Sequence, residues 1–139
     1  MLEKTYKKDE IIFRQGDTNV PLYKVIKGKI FNFAVQGSKV LPLWETGPGS
    51  FIGENSVFLK KASQIYCIAM EDTSVIIYTE DELNAEFPKW LLSIAIVVCK
   101  KTEEEILQII GRGIKRPSGQ IKPLSIDEQR YYLKLLNLV

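Results

Sequence analysis

A chain of 139 residues, 45% apolar and 26% charged, can bury one globular core and little more. Its formal charge of +2 is too small to argue by itself for nucleic acid or a membrane surface. Histidine is absent, which excludes a histidine-held haem, a His-based zinc site and a Ser-His-Asp triad.

Met1 to Glu10 is polar and charged, unlike a signal peptide. Short β-favouring runs follow at Glu10 to Arg14, Leu22 to Lys27, Ile30 to Val35, Lys39 to Trp44, Gln64 to Met70 and Ser74 to Tyr78. Gly16-Asp17, Gly28-Lys29, Gln36-Gly37-Ser38, Gly47-Pro48-Gly49 and Glu71-Asp72 punctuate them. Phe31, Phe33 and Val35 alternate with Asn32 and Ala34, as a half-buried strand requires. Many short strands at this spacing predict a sandwich, roll or barrel, with an antiparallel roll over residues 10 to 79.

Near residue 80 the period becomes helical. Asp81 to Glu86 fits one short helix, and Pro88 fits the first turn of the next, where its missing N–H is harmless. Leu91, Ile94, Val98, Thr102, Ile106 and Ile109 then recur at three and four residues, on one stripe. Lys100 and Lys101, followed by Glu103, Glu104 and Glu105, read as a solvated face. Gly111-Arg112-Gly113 and Pro117-Ser118-Gly119 end the helix and begin a linker. A last amphipathic helix starts at Ser125, with Glu128 completing a capping box and Ile126, Tyr132, Leu133, Leu135 and Leu136 on its apolar side. The expected division is therefore 1–110, a β-roll with its long helix, and 111–139, a linker with a short helix. The longest apolar run, Trp90 to Cys99, is too short to span a bilayer, so the cytoplasm is the expected location. Cys67 and Cys99 have neither metal nor redox spacing and read as packing residues.

The most informative stretch is Gly47-Pro48-Gly49-Ser50-Phe51-Ile52-Gly53-Glu54, followed by the short helical segment Asn55-Ser56-Val57-Phe58. Glycines let a ligand approach the main chain, and a helix start after Gly53 directs unpaired N–H groups at an anion. Glu54 there can accept hydrogen bonds from a hydroxyl. Local chemistry alone favours the plainer reading, a tight turn with a solvated carboxylate.

Taken together, these segments resemble the cyclic nucleotide-binding domain family, which includes the catabolite activator type of regulator. The resemblance covers about residues 5 to 110. It is carried by Ile11-Ile12-Phe13 with Gly16, Tyr23-Lys24-Val25-Ile26-Lys27-Gly28, the Gly47 to Glu54 segment, Ala69, Leu83 and Phe87-Pro88. It implies a mainly β domain, an antiparallel double-stranded β-helix or jelly-roll, flanked by α and followed by a long C-terminal helix. It also implies a phosphate-binding cassette in which the Glu holds a ribose hydroxyl and a downstream Arg neutralises a cyclic phosphate. The ligand-binding residues so implied are Phe51, Ile52, Gly53, Glu54, Asn55 and Ser56, then Ser63 and Gln64, with Thr102 on the long helix facing the nucleobase.

One departure matters. Counting from Gly53 with Ala69 as second anchor, the arginine position falls on Ser63. Serine brings neither charge nor a two-pronged donor, and losing such a contact costs on the order of 1.5–3 kcal/mol. Lys60 or Lys61 either replaces it as a point charge or remains a solvated loop residue.

The resemblance implies a regulatory sensor, not an enzyme, signalling through its long helix. It would need no cofactor beyond a weakly held cyclic nucleotide or other small anion. The alternatives are an orphan domain that binds no nucleotide and works by dimer or partner contacts, and the sensor part of a transcription regulator. The stripe through residues 90 to 110 fits either packing on the roll or a homodimer seam, with Lys101 and Glu105 beside it. Leu124 to Leu136 looks like the first helix of a helix-turn-helix domain, but no recognition helix follows before Val139. DNA binding is thus not expected of this chain alone. Arg112, Lys115, Arg116 and Lys122 read as linker residues.

Overall fold

The computed structural model describes residues 1–112 and 125–135. The linker residues Lys115, Arg116 and Lys122, the Pro117-Ser118-Gly119 turn, Leu136 and the side chains of Arg112 and Tyr132 lie outside what is described. In chain order the strands are β1 (Leu2–Tyr6), β2 (Ile11–Phe13), β3 (Leu22–Lys27), β4 (Ile30–Gln36), β5 (Lys39–Thr46), β6 (Phe51–Ile52), β7 (Tyr66–Ala69) and β8 (Thr73–Tyr78). Helix α1 (Glu54–Leu59) lies between β6 and β7, and α2 (Glu80–Glu86), α3 (Lys89–Arg112) and α4 (Ile126–Leu135) follow β8.

Two antiparallel sheets, β1-β8-β3-β6 and β2-β7-β4-β5, face each other as the expected roll. Val25, Ile30, Ile52, Cys67 and Val75 are almost wholly buried between them. Leu22, Val57 and Leu83 form a second cluster that seats α1 and α2 on the first sheet.

Three expectations need correction. The roll begins at Leu2, not near Glu10, because β1 pairs with β8 from Leu2↔Ile77 to Tyr6↔Thr73. Only Tyr6 of that strand is buried, so the alternation that betrays a strand is missing. In β4 the buried face is Ile30, Asn32 and Ala34, whereas Phe31, Phe33 and Val35 are only half-buried. Phe31 stacks on Phe33 at 5.0 Å, and Phe33 on Tyr66 at 5.3 Å, which covers the outer face. The α3 stripe also divides. Ile106 packs inward with Cys99, while Ile94 and Val98 are more than half exposed.

Helix ends follow local chemistry. Thr79 caps α2 in a capping box, its Oγ accepting from the Glu82 N–H at 3.3 Å while its own N–H donates to Glu82 Oε2 at 3.2 Å. Phe87 is extended, as the residue before a proline must be, and the Pro88 carbonyl accepts the first α3 amides. α3 ends at Arg112, within the Gly111-Arg112-Gly113 stretch expected to end it. Ser125 and Glu128 form the expected capping box on α4.

Candidate functional site

β6 and α1 meet at Gly53, which has φ 83° and ψ 3°. This left-handed turn swings the chain from the sheet into α1 and makes Glu54 its first residue. The amides of Glu54, Asn55 and Ser56 therefore precede the first intrahelical bond, from the Val57 N–H to the Gly53 carbonyl at 3.1 Å. Lys60 closes the helix in a left-handed conformation, φ 54°.

Beside this turn lies a cavity of about 80 Å³. Gly53 to Ser56 form one wall, Lys61 to Ile65 a second, and Glu103 and Ile106 of α3 a third, with Phe13 and Trp44 closing it from the roll. Burial raises the Glu54 carboxyl above its usual range, against the opposing effect of a hydrogen bond from its own backbone amide. Its field reaches both the roll interior and α3. Burial pushes the Cys99 thiol up to about 11, and the Glu54 charge adds to the shift. The Cys67 thiol is raised for the same two reasons. Both cysteines are free and buried. Asn55 Oδ1 and Gln64 Oε1 are buried without a hydrogen-bond partner.

Ser63 lies on the second wall and is buried. Its N–H donates to the Asp17 carbonyl at 2.9 Å, and its carbonyl accepts from the Gly16 N–H at 2.7 Å. Its hydroxyl donates to the Ile65 carbonyl at 2.8 Å, so it is engaged locally. Lys61 Nζ is 3.0 Å from Glu103 Oε1 across the mouth of the cavity. Lys60 turns the other way, to Glu80 Oε1 at 3.0 Å, where a larger cleft of about 630 Å³ lies beyond the same loop.

The cavity thus brings together Gly53, Glu54, Asn55, Ser56, Ser63 and Gln64 of the residues implied by sequence. Ile52 is in the roll core, and Phe51 is exposed on β6 with Lys24 over its ring at 5.9 Å; neither lines the cavity. Thr102 donates to the Val98 carbonyl at 3.2 Å and is also off the wall. Glu103 went unrecognised in the sequence, where the Glu run reads as solvated; its side chain is only 16% exposed. The spacing Cys99, Glu103, Ile106 is the signal that places it on the buried face.

Among the described residues no group of acidic, histidine or cysteine side chains is placed to hold a metal ion, and no helix is long and apolar enough to cross a membrane. The model of the cyclic nucleotide-binding domain family matches residues 3–88. The chain is 28% identical over 110 residues to the cyclic AMP receptor protein of Thermus thermophilus, covering 76% of this chain and 51% of that one. It therefore spans about half the length of this relative. Among solved structures, the catabolite activator protein of Thermus thermophilus superposes with a TM-score of 0.66 at 26% identity, covering 78% of this chain and 53% of that one. The cAMP-bound form of the EAL enzyme Bd1971 superposes with a TM-score of 0.68 at 23% identity, covering 76% and 29%, a likeness of fold. The β-roll, the glycine-turned cassette at Glu54 and the match over residues 3–88 together show that the chain belongs to the cyclic nucleotide-binding domain family.

Proposed function

We propose that this chain is a regulatory sensor module, not an enzyme, in which a ligand entering the Glu54 cavity displaces α3 and so signals through it. The cavity's size carries this reading. About 80 Å³ is well below the roughly 300–1,000 Å³ of pockets that hold drug-sized ligands. One wall of it is α3 itself, through Glu103 and Ile106. In this reading a nucleotide makes room by displacing that wall, so occupancy and helix position are coupled. Cyclic AMP is the first ligand to test, since the similar receptor protein is named for it.

The cassette is degenerate in this reading, with Ser63 standing in the position of the phosphate-binding arginine. Binding of the unmodified chain to cyclic AMP is therefore expected to be weak. Ser63→Arg should strengthen it by roughly tenfold or more, and Glu54→Ala should weaken it. Calorimetric titration of the three proteins checks this. Failure of Ser63→Arg to bind would favour an orphan domain, a reading supported by the local engagement of the Ser63 hydroxyl.

We further propose a homodimer through residues 90 to 110. Trp90, Ile94, Val97 and Val98 are all more than half exposed on α3, opposite buried Cys99 and Ile106. Lys101 and Glu105 flank this face and fit pairing across it. Light scattering should give twice the chain mass, and Val97→Asp with Val98→Asp should halve it. A monomer at high micromolar concentration would refute the seam. We place the module in the cytoplasm and expect no DNA binding from this chain alone; joined to a DNA-binding partner it would serve transcription regulation.

A further inference from the structure

We infer that Glu103 is a built-in competitor for the cation of the cavity: Lys61 is the side chain that takes the ligand's phosphate, and Glu103 holds it until the ligand arrives. This rests on the cyclic-nucleotide site proposed above. Among the described residues lining the cavity, Lys61 alone carries positive charge, and its ammonium is 3.0 Å from Glu103 Oε1. Lys60 is held away by Glu80 and does not line the cavity.

The two partners are unequally anchored. The Glu103 side chain is 16% exposed and set in the helix wall, whereas that of Lys61 is 64% exposed on a flexible stem. The lysine is therefore the member that can swing. An exposed ion pair shifts an equilibrium by no more than about fivefold, so a cyclic phosphate, singly charged like the carboxylate but held in the cavity by the rest of the nucleotide, can displace it. The exchange leaves Glu103 on the wall of the cavity that holds the anion, with no second cation among the cavity side chains. Like-charge repulsion then acts on α3 directly. The Lys61–Glu103 contact is also the one side-chain hydrogen bond joining α3 to the rest of the domain among the described residues. What remains of the seat is non-directional apolar packing at residues such as Cys99 and Ile106. One exchange of partner thus couples phosphate capture to release of the helix.

A thermodynamic cycle on the full chain tests this, with cyclic AMP titrated at fixed low salt. Glu103→Gln should bind about fivefold tighter than the unmodified chain, and Glu103→Ala should behave likewise. Lys61→Gln should bind roughly tenfold weaker. Glu103→Gln should gain clearly less affinity in the Lys61→Gln background than in the unmodified chain, because the competitor has nothing left to hold and only its repulsion of the anion is relieved. Hydrogen exchange over residues 89–112 should rise with cyclic AMP in the unmodified chain and change less in Glu103→Gln. Unchanged affinity in Glu103→Gln would overturn the inference while leaving the sensor function standing. So would an equal gain with and without Lys61, or binding seen in Ser63→Arg alone. No binding by any of these proteins, Ser63→Arg included, would overturn both the inference and the function on which it rests.

Discussion

Gly53→Ala is expected to destabilise the domain by about 3 kcal/mol or more and to abolish ligand binding. Two effects add. Gly53 has φ 83°, a conformation that costs an L-residue about 1–2 kcal/mol. A Cβ built there would also lie 2.2 Å from the Pro21 carbonyl oxygen and 3.3 Å from Val20 Cγ1. The first of these is backbone, so it cannot rotate away as a side-chain tip would. Val20 belongs to the central core, so the clash is transmitted into the roll. The Gly53 carbonyl also accepts the first intrahelical bond of α1, from Val57. Any shift of Gly53 therefore displaces Glu54 and the start of the helix together. Gly49→Ala is the control. It has φ 86°, but a Cβ there meets nothing within 4 Å, so only the backbone strain applies. Urea denaturation should give a much larger midpoint shift for Gly53→Ala than for Gly49→Ala. Equal shifts would show that the Pro21 contact is relieved locally.

Asn32→Ala is expected to cost about 2–4 kcal/mol, as much as deleting a large core side chain. Asn32 is fully buried in β4. Its Nδ2 donates to Thr46 Oγ1 at 2.8 Å and to the Trp44 carbonyl at 3.2 Å, and its Oδ1 accepts from Cys67 Sγ at 2.9 Å. One side chain thus joins β4 to β5 and β7. The pairing of β4 with β5 is irregular at this point, passing from Asn32↔Trp44 to Phe33↔Pro42. Pro42 has no N–H to offer the ladder, so a break there is expected, and Asn32 supplies donors beside it. Alanine would leave the Trp44 carbonyl and the Thr46 hydroxyl without that donor inside the roll. Trp44 also lines the cavity, so ligand affinity should fall with stability. Combining Asn32→Ala with Thr46→Val should cost less than the sum of the two, because they share a hydrogen bond. Strict additivity, or a loss below about 1 kcal/mol for Asn32→Ala, would contradict this account.

Much of the architecture was legible because it is written in local chemistry. The change of period near residue 80, the Ser125–Glu128 capping box and the turn at Gly53-Glu54 depend on neighbours in the chain. So do the runs that became β3, β4 and β5. β1 escaped because four of its five residues are exposed, and its strand state comes from pairing with β8, some seventy residues away. The cassette residues Gly53, Glu54, Asn55, Ser56, Ser63 and Gln64 were implied by the family resemblance, and the fold gathers them at one cavity.

What the sequence determined by itself is therefore the class of fold and the order of most of its elements. These rest on periodicity, turn residues and spacing, which act over a few residues at a time. Which side of an element faces inward was decided only by the tertiary structure. Asn32 displaces the phenylalanines from the buried face because Thr46, Trp44 and Cys67 are there to satisfy it. Spacing of three and four residues leaves more than one stripe open on α3, and the roll selects Cys99, Glu103 and Ile106 by packing against them. Only that choice sets Glu103 opposite Lys61, because contact between residues 42 positions apart is a property of packing, on which local spacing is silent.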